Sequence, residues 1–313
     1  MNKLNIGIFG ASGFIGSNLA NYLIENINFK SLSLFTRNPK NETHKNLNFK
    51  EIKFDIKEIE KYEKELEKLD VIFYLLSNSI PLSSWNNPAS EFYDNVIPFI
   101  NFMETISKFN IKRIIFTSSA GTIYGSGDEL KNEKSLITPH SPYGIGKITI
   151  EFLLDFYEKK YNIRYTILRI ANIYGPNQDT SKGLGFINKV LENLINNDTT
   201  SIYGNTTRNY IYIKDVVKIM CLLIENLEEK SEILNVSSDF NLESLEVINV
   251  ISKTLKIQPK IELHESRNSD NQKILVDNTK LKERLIKFEF TSFEVGLKET
   301  LDFICEKNRN TSF

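Results

Sequence analysis

The sequence predicts an α/β fold: a doubly wound parallel sheet followed by a smaller C-terminal α/β lobe. Three observations carry this expectation. Short apolar runs alternate with helix-length amphipathic stretches as far as Ile170, the rhythm of a parallel sheet covered by helices on both faces. Gly10-x-x-Gly13-x-x-Gly16 falls between the first apolar run and the first helix, where a dinucleotide fold turns its chain. After Ile170 the rhythm loosens into a segment about the length of a second lobe. The expected division is a Rossmann-type dinucleotide-binding domain over 1–170 and a substrate-binding lobe over 171–313, with some chain crossing back to the first domain.

Element by element, LNIGIF (4–9) is apolar and bounded by Gly10, the mark of a buried parallel strand. Phe14, Ile15, Leu19, Tyr22 and Leu23 recur at helical spacing and predict a helix from Phe14 to Glu25. SLSLF (31–35), the alternating LNFKEIKFDI (47–56) and VIFYLL (71–76) predict three more strands, with a Lys/Glu-rich helix over 57–68. A helix from about 89 to 109 leads into a fifth strand at 111–117, and RYTILRI (164–170) follows a long helix over 143–160.

NIYGPNQDTSKGLG (172–185) reads as a polar loop facing a ligand, and the loop 126–140 as one bordering the substrate. Helices are expected at 186–196, 215–228, 242–255 and 291–306, and short strands near 201–203, 232–236 and 260–263. Asp215 reads as a helix cap ahead of Val216 and Val217, and Tyr203 and Tyr210 as core aromatics.

Composition narrows the classes. Lys+Arg 39 against Asp+Glu 40 leaves no excess charge for a polyelectrolyte, which excludes nucleic-acid binding by bulk electrostatics. His44, His140 and His264 are scattered and lack metal-ligand spacing. Cys221 and Cys305 fall on predicted apolar helix faces and read as reduced core thiols. The N-terminus enters a strand with no signal-peptide pattern, and no apolar run reaches membrane-spanning length. The expected location is the cytoplasm.

The chemistry begins at the glycines. Gly10 permits the tight turn, Gly13 lets the backbone approach a pyrophosphate, and Gly16 lets helix and strand pack closely, so the helix N-terminus faces the phosphates. An NAD site places a carboxylate at the end of the second strand, about 20 residues on. Here the chain has Phe35-Thr36-Arg37-Asn38. Arg37, helped by Thr36, suits a 2′-phosphate, which favours NADP; a solvated Arg37 beside an NAD site is the alternative. Asp55 is equally suited to an adenine amino group and to capping a helix.

Tyr143 and Lys147 lie one helical turn apart, some 25 residues after the hydroxyls Thr117, Ser118 and Ser119. An ammonium beside a phenol is expected to lower the phenol's pKa and make it a proton-transfer group. Together, these residues resemble the extended short-chain dehydrogenase/reductase family, within it the nucleotide-sugar epimerases, dehydratases and 4-ketoreductases. The resemblance covers nearly the whole chain. It rests on GASGFIG (10–16), Asn95 in DNVIPFINFMETI, IIFTSSAGTIYG (114–125), SPYGIGK (141–147), LRIANIYGP (168–176), TRNYIYIKDVV (207–217) and Arg267-x-x-Asp270 ahead of Asp277.

What the resemblance implies transfers residue by residue. Tyr143 is the acid/base at the sugar C4 oxygen, Lys147 holds the nicotinamide ribose, and Ser119 hydrogen-bonds the same oxygen. Gly121 makes the run to Tyr124 one residue longer than the family pattern, so Ser118 stands as a second choice that contacts substrate. Cofactor contacts fall on Gly10, Gly13, Phe14, Ile15, Gly16, Thr36, Arg37, Asp55, Ile56, Leu75, Ser77, Asn95, Tyr143, Lys147 and Ile170. Asn172, Arg208 and Arg267 match positions that bind the nucleotide diphosphate. The family often ends its fourth strand in small residues, where this chain has Tyr74-Leu75-Leu76-Ser77; that departure leaves cofactor seating there open.

The expected reaction is NADPH-dependent reduction of an NDP-4-keto-6-deoxyhexose. A 4-epimerase with tightly held NAD is the runner-up, since it shares every catalytic residue. A non-catalytic dinucleotide sensor is the remote third, disfavoured by the intact Tyr143–Lys147 pair. The resemblance also implies a homodimer through the helices near 89–109 and 143–160.

Overall fold

Five apolar segments become β1 (Asn5–Phe9), β2 (Ser31–Thr36), β3 (Phe49–Lys53), β4 (Val71–Tyr74) and β5 (Arg113–Ser119) in a computed structural model. The structure describes residues 3–39, 48–181, 183, 185–266 and 273–311. Two further strands, Tyr165–Ile170 and Glu232–Val236, extend the sheet beyond β5 to seven. Every pairing from β3 through β2, β1 and β4 to β5 is parallel. Because β1 pairs with both β2 and β4, the winding reverses at β1, and open sheets leave a ligand crevice at such a reversal. The doubly wound α/β architecture expected from the sequence is the one found.

The chain divides into two compact units. The first comprises residues 1–119, 139–169 and 217–234; the second comprises 120–138, 170–216 and 235–313. In the first unit, Phe9 stacks on Phe35 with centroids 4.1 Å apart, and meets Phe102 edge-on at 4.9 Å. Fully buried apolar side chains of this size contribute about 1.5–3 kcal/mol each, so this aromatic seam holds the strands in register.

Buried charge is handled in two ways in this unit. Arg169 and Glu151, both nearly inaccessible, face each other with Arg169 Nη2 2.7 Å from Glu151 Oε2 and Nε 3.2 Å from each carboxylate oxygen. Arg113, 1% exposed, instead directs its guanidinium to the carbonyls of Tyr165 (2.9 Å), Lys230 (3.0 Å) and Glu228.

In the second unit, Asn241–Glu243, Thr207–Tyr212 and Asn172–Tyr174 form a three-stranded sheet. Lys260–His264 pairs with Thr199–Tyr203, and Leu275–Val276 with Leu130–Lys131. The expected loop 172–185 therefore begins as a strand, and the loop 126–140 contains a short one. Asp215 is a further correction: it lies within the helix Ile213–Glu225, and its carboxylate accepts from Thr291 N (2.9 Å) and Oγ1 (2.7 Å). Cys221 is buried as expected, whereas Cys305 is half-exposed; both are free thiols.

The helix expected over 89–109 forms from Pro88 to Ile106, with a π turn inside it. Pro88–Glu91 makes one α turn, Phe92–Val96 a π turn, and Ile97–Ile106 resumes the α-helix. Pro98 is the physical reason, because it has no N–H to give the Asp94 carbonyl one turn back. Asn78 Nδ2 supplies that bond from outside, at 2.9 Å. The expected helix over 57–68 is split, into a 3₁₀ turn Ile56–Tyr62 and a short α turn Glu63–Leu66. Among the described residues no helix is long and apolar enough to cross a membrane.

The Arg169–Glu151 pair yields a stability prediction. Arg169→Met leaves a buried carboxylate without its guanidinium and costs about 3–5 kcal/mol in urea unfolding. The double variant with Glu151→Leu recovers much of that loss. A single variant as stable as the wild type would contradict the ion pair's role.

Candidate active site

The turn between β1 and the helix α1 (Phe14–Asn26) is shaped by close approaches. Gly10 sits at φ +91°, and its N–H and that of Ala11 both donate to the Phe35 carbonyl, at 3.1 and 3.2 Å. A Cβ on Gly16 would lie 2.2 Å from the Gly10 carbonyl oxygen, so a side chain there would push helix and turn apart. Gly13 is the N-cap, and no side chain caps α1. The first-turn N–H groups of Phe14, Ile15 and Gly16, with no acidic residue beside them, suit a pyrophosphate. This cradle fits a dinucleotide.

Thr36 is buried at the end of β2, its hydroxyl accepting from Asn38 N at 3.4 Å, and Arg37 beside it is exposed. Asp55 follows β3 and caps the 3₁₀ turn that starts at Ile56, accepting from Lys57 N at 2.9 Å. Leu75 continues β4, with its N–H on the Phe9 carbonyl at 3.0 Å and its own carbonyl facing Gly10. Asn95 lies buried in the π turn; its Oδ1 accepts from Asn78 N (2.8 Å) and its Nδ2 donates to Ser79 Oγ (3.0 Å).

Tyr143 and Lys147 stand at the head of the long helix Pro142–Tyr161. Ser141 caps it by accepting from Gly144 N at 3.2 Å, and Pro142 occupies the first turn, where its missing N–H costs nothing. Ser84 Oγ accepts from Tyr143 N at 3.1 Å. Lys147, 5% exposed, donates Nζ to the Thr117 carbonyl at 3.0 Å and lies 5.0 Å from the Phe116 ring centroid and 5.4 Å from that of Tyr143. The structure thus brings Tyr143 and Lys147 to the end of β5, where Ser118 and Ser119 complete the strand. Ser118 Oγ is buried and has no hydrogen-bond partner among the described residues.

The electrostatics overturn one expectation. Burial pushes the Lys147 ammonium down to about 8, against the pull of the Glu91 and Glu151 carboxylates. Burial also pushes the Tyr143 phenol up, the Glu91 charge adds to this, and a hydrogen bond from Ser77 opposes it. The phenol is not lowered by its lysine neighbour. The ammonium lies against the ring and directs its proton to Thr117, so Glu91 is the charge that the hydroxyl feels.

The remaining candidates sit in the second unit or outside the described residues. Ile170 is buried at the end of its strand. Asn172 opens the strand paired with Thr207–Tyr212, and its Nδ2 donates to the Asn209 carbonyl at 3.1 Å. Arg208, on that neighbouring strand, donates Nη1 to the Thr207 carbonyl at 2.9 Å. Arg267 and Asp270 lie outside the described residues. Tyr210 is a core residue, while the partly exposed Tyr203 stacks on His264 at 4.8 Å. Sequence reasoning missed Glu91 and Gly146; a glycine inside a helix, at a cost of about 1 kcal/mol against alanine, was the signal.

The profile of the NAD dependent epimerase/dehydratase family matches residues 6–237. The chain is 26% identical to a UDP-glucose 4-epimerase of Mycolicibacterium smegmatis over 310 residues, covering 96% of this chain and 99% of that one. It is 28% identical to a dTDP-4-dehydro-6-deoxyglucose reductase of Escherichia coli over 285 residues, covering 88% and 89%. A UDP-glucose 4-epimerase from Thermotoga maritima, solved with UDP-glucose, superposes with a TM-score of 0.87 at 28% identity, covering 97% of this chain and 100% of that one. With the glycine cradle and the Tyr143–Lys147 pair inside the matched span, the chain belongs to the NAD dependent epimerase/dehydratase family.

Proposed function

We propose that the protein is an NADPH-dependent 4-ketoreductase of a nucleotide-diphosphate 4-keto-6-deoxyhexose. The observation that carries the chemistry is Tyr143 one turn from a buried Lys147, which is itself fixed to the end of β5. The cofactor, when bound, supplies the hydride for the sugar C4. Tyr143 donates its phenolic proton to the C4 oxygen, and its raised pKa keeps that proton in place at neutral pH. Ser119 hydrogen-bonds the same oxygen, and Ser118 offers a second hydroxyl. Lys147 holds the ribose, while Asn172, Arg208 and Arg267 take the diphosphate, where guanidinium forks match phosphate oxygens.

Arg37 supports the reductive direction, because an exposed guanidinium in place of a carboxylate at the end of β2 suits the 2′-phosphate of NADPH. A second reading, 4-epimerisation with retained NAD, draws support from whole-chain likeness to UDP-glucose 4-epimerases. A homodimer belongs to either reading. Phe92, Tyr93, Ile97, Phe152 and Phe156 are exposed on the helical segments expected to pair, which supports that reading.

Incubating the purified protein with NADPH and UDP-, dTDP-, GDP- and CDP-4-keto-6-deoxysugars should consume reduced-nicotinamide absorbance with one of them. Interconversion of UDP-glucose and UDP-galactose without added cofactor would replace the reductase by the epimerase. Tyr143→Phe should lower kcat by about 10²-fold or more, as loss of a general acid does; full activity would remove the assignment. Arg37→Ala should weaken NADPH binding by about tenfold or more while sparing NADH, since a charge-assisted phosphate contact contributes roughly 1.5–3 kcal/mol. Equal losses for both cofactors would sink the role of Arg37. Sedimentation at twice the chain mass is expected; a monomer at micromolar concentration would refute the dimer.

A further inference from the structure

Glu91 is 1% exposed, yet it is a carboxylate packed near the head of the catalytic helix. It ends the short α turn Pro88–Glu91, immediately before the π turn. Ser79 donates to its Oε2, and Asn95 bonds to it while also donating to Ser79 Oγ at 3.0 Å. On its other side is the backbone of Gly146. A Cβ there would lie 2.4 Å from Glu91 Oε1, 2.6 Å from Cγ and 2.8 Å from Cδ. The second glycine of YGIGK thus makes the room that this carboxylate fills.

Burying an ionised carboxylate costs several kcal/mol unless charge and hydrogen bonds compensate it. Two carboxylates act on Lys147. Glu151, one turn further along the helix, already faces Arg169 in a bidentate pair. Burial pushes the Glu91 carboxyl up, while the hydrogen bond from Ser79, the Lys147 charge and the bond from Asn95 favour its ionised form. Asp94, on the π turn, opposes it.

We propose that Glu91 is a positioning residue of the reaction centre, its carboxylate wedged against Gly146 so that Lys147 and Tyr143 are held in charge register. This rests on the reading of Tyr143 and Lys147 as the acid–base pair. The Glu91 negative charge favours the protonated form of both groups, so it keeps the phenol loaded with its proton and the ammonium charged. Burial supplies the opposing pull on Lys147, and Glu151 adds to the effect of Glu91 there.

Glu91→Gln keeps the shape and removes the charge. The first measurement uses no cofactor or substrate: the full chain with ¹³C-labelled lysine is titrated by NMR, Lys147 being assigned by its loss in Lys147→Met. The Lys147 midpoint should move to lower pH by at least about half a unit in Glu91→Gln. An unchanged midpoint overturns the proposal. With NADPH and dTDP-4-keto-6-deoxyglucose as probe, the alkaline limb of kcat/KM should move to lower pH in the same variant, and a limb that stays in place also overturns it. Should Tyr143→Phe prove fully active while the NMR midpoint still moves, the acid–base reading fails and the electrostatic link to Lys147 stands.

The wedge has its own test. Gly146→Ala should lower kcat by about tenfold or more, although alanine favours a helix, because the added methyl displaces the Glu91 carboxylate. Adding Glu91→Asp, which withdraws the carboxylate by one methylene, should restore most of the loss. A Gly146→Ala protein of full activity, or a double variant no better than the single, removes the wedge.

Discussion

A lysine ammonium kept out of water is the constraint around which the first unit is arranged. Lys147 is at the head of its helix with little access to solvent, and burial works against its charge. What holds it comes from separate pieces of chain. β5 offers the Thr117 carbonyl and the Phe116 ring, and the long helix offers Tyr143 and Glu151. The turn before the π segment offers Glu91, and the strand after the helix supplies Arg169 to steady Glu151. These members act on one buried charge, so the site is a network in which a change at one is felt by the others.

How much of this could be read from the chain depended on distance along it. The glycine turn, the five strands from β1 to β5 and the Tyr143–Lys147 spacing are local patterns, and local patterns survive folding. The π turn at Phe92–Val96 had a local half, Pro98, and a remote half, Asn78, and the sequence signals only the first. Asp215 looked like a cap because three consecutive letters resemble one; its partner Thr291 is 76 residues away. The sign of the Tyr143 pKa change failed for the same reason. Two residues four apart said that a cation was near, and nothing nearby said that burial, with the Glu91 charge added to it, would push the phenol up. Arg267, expected to reach the diphosphate, lies outside the described residues.

The proposed chemistry separates two decisions that a family fold usually shares out. Proton transfer belongs to Tyr143 and its buried surroundings, which epimerases and reductases can have in common. Under that proposal direction is set at the end of β2, where Arg37 is proposed to meet the outer part of the cofactor. An exchangeable reduced cofactor and a retained oxidised one need different holds, and the glycine cradle serves either. The catalytic helix and the cofactor-selective strand end can therefore be altered by different substitutions without disturbing one another.

Arg113 carries a consequence for how the chain comes together in time. Its guanidinium binds carbonyls at Tyr165, Glu228 and Lys230, so the first strand cluster is completed by a segment that the chain reaches only after passing through much of the second unit. At synthesis rates of roughly 5–20 residues per second, the interval between Ile170 and Lys230 is on the order of 3–12 s. Until Lys230 emerges, Arg113 has Tyr165 and Thr166 but lacks the Glu228 and Lys230 carbonyls. The N-terminal unit cannot mature on the ribosome ahead of the rest, and a nascent chain halted between those residues is an open sheet for a chaperone to guard.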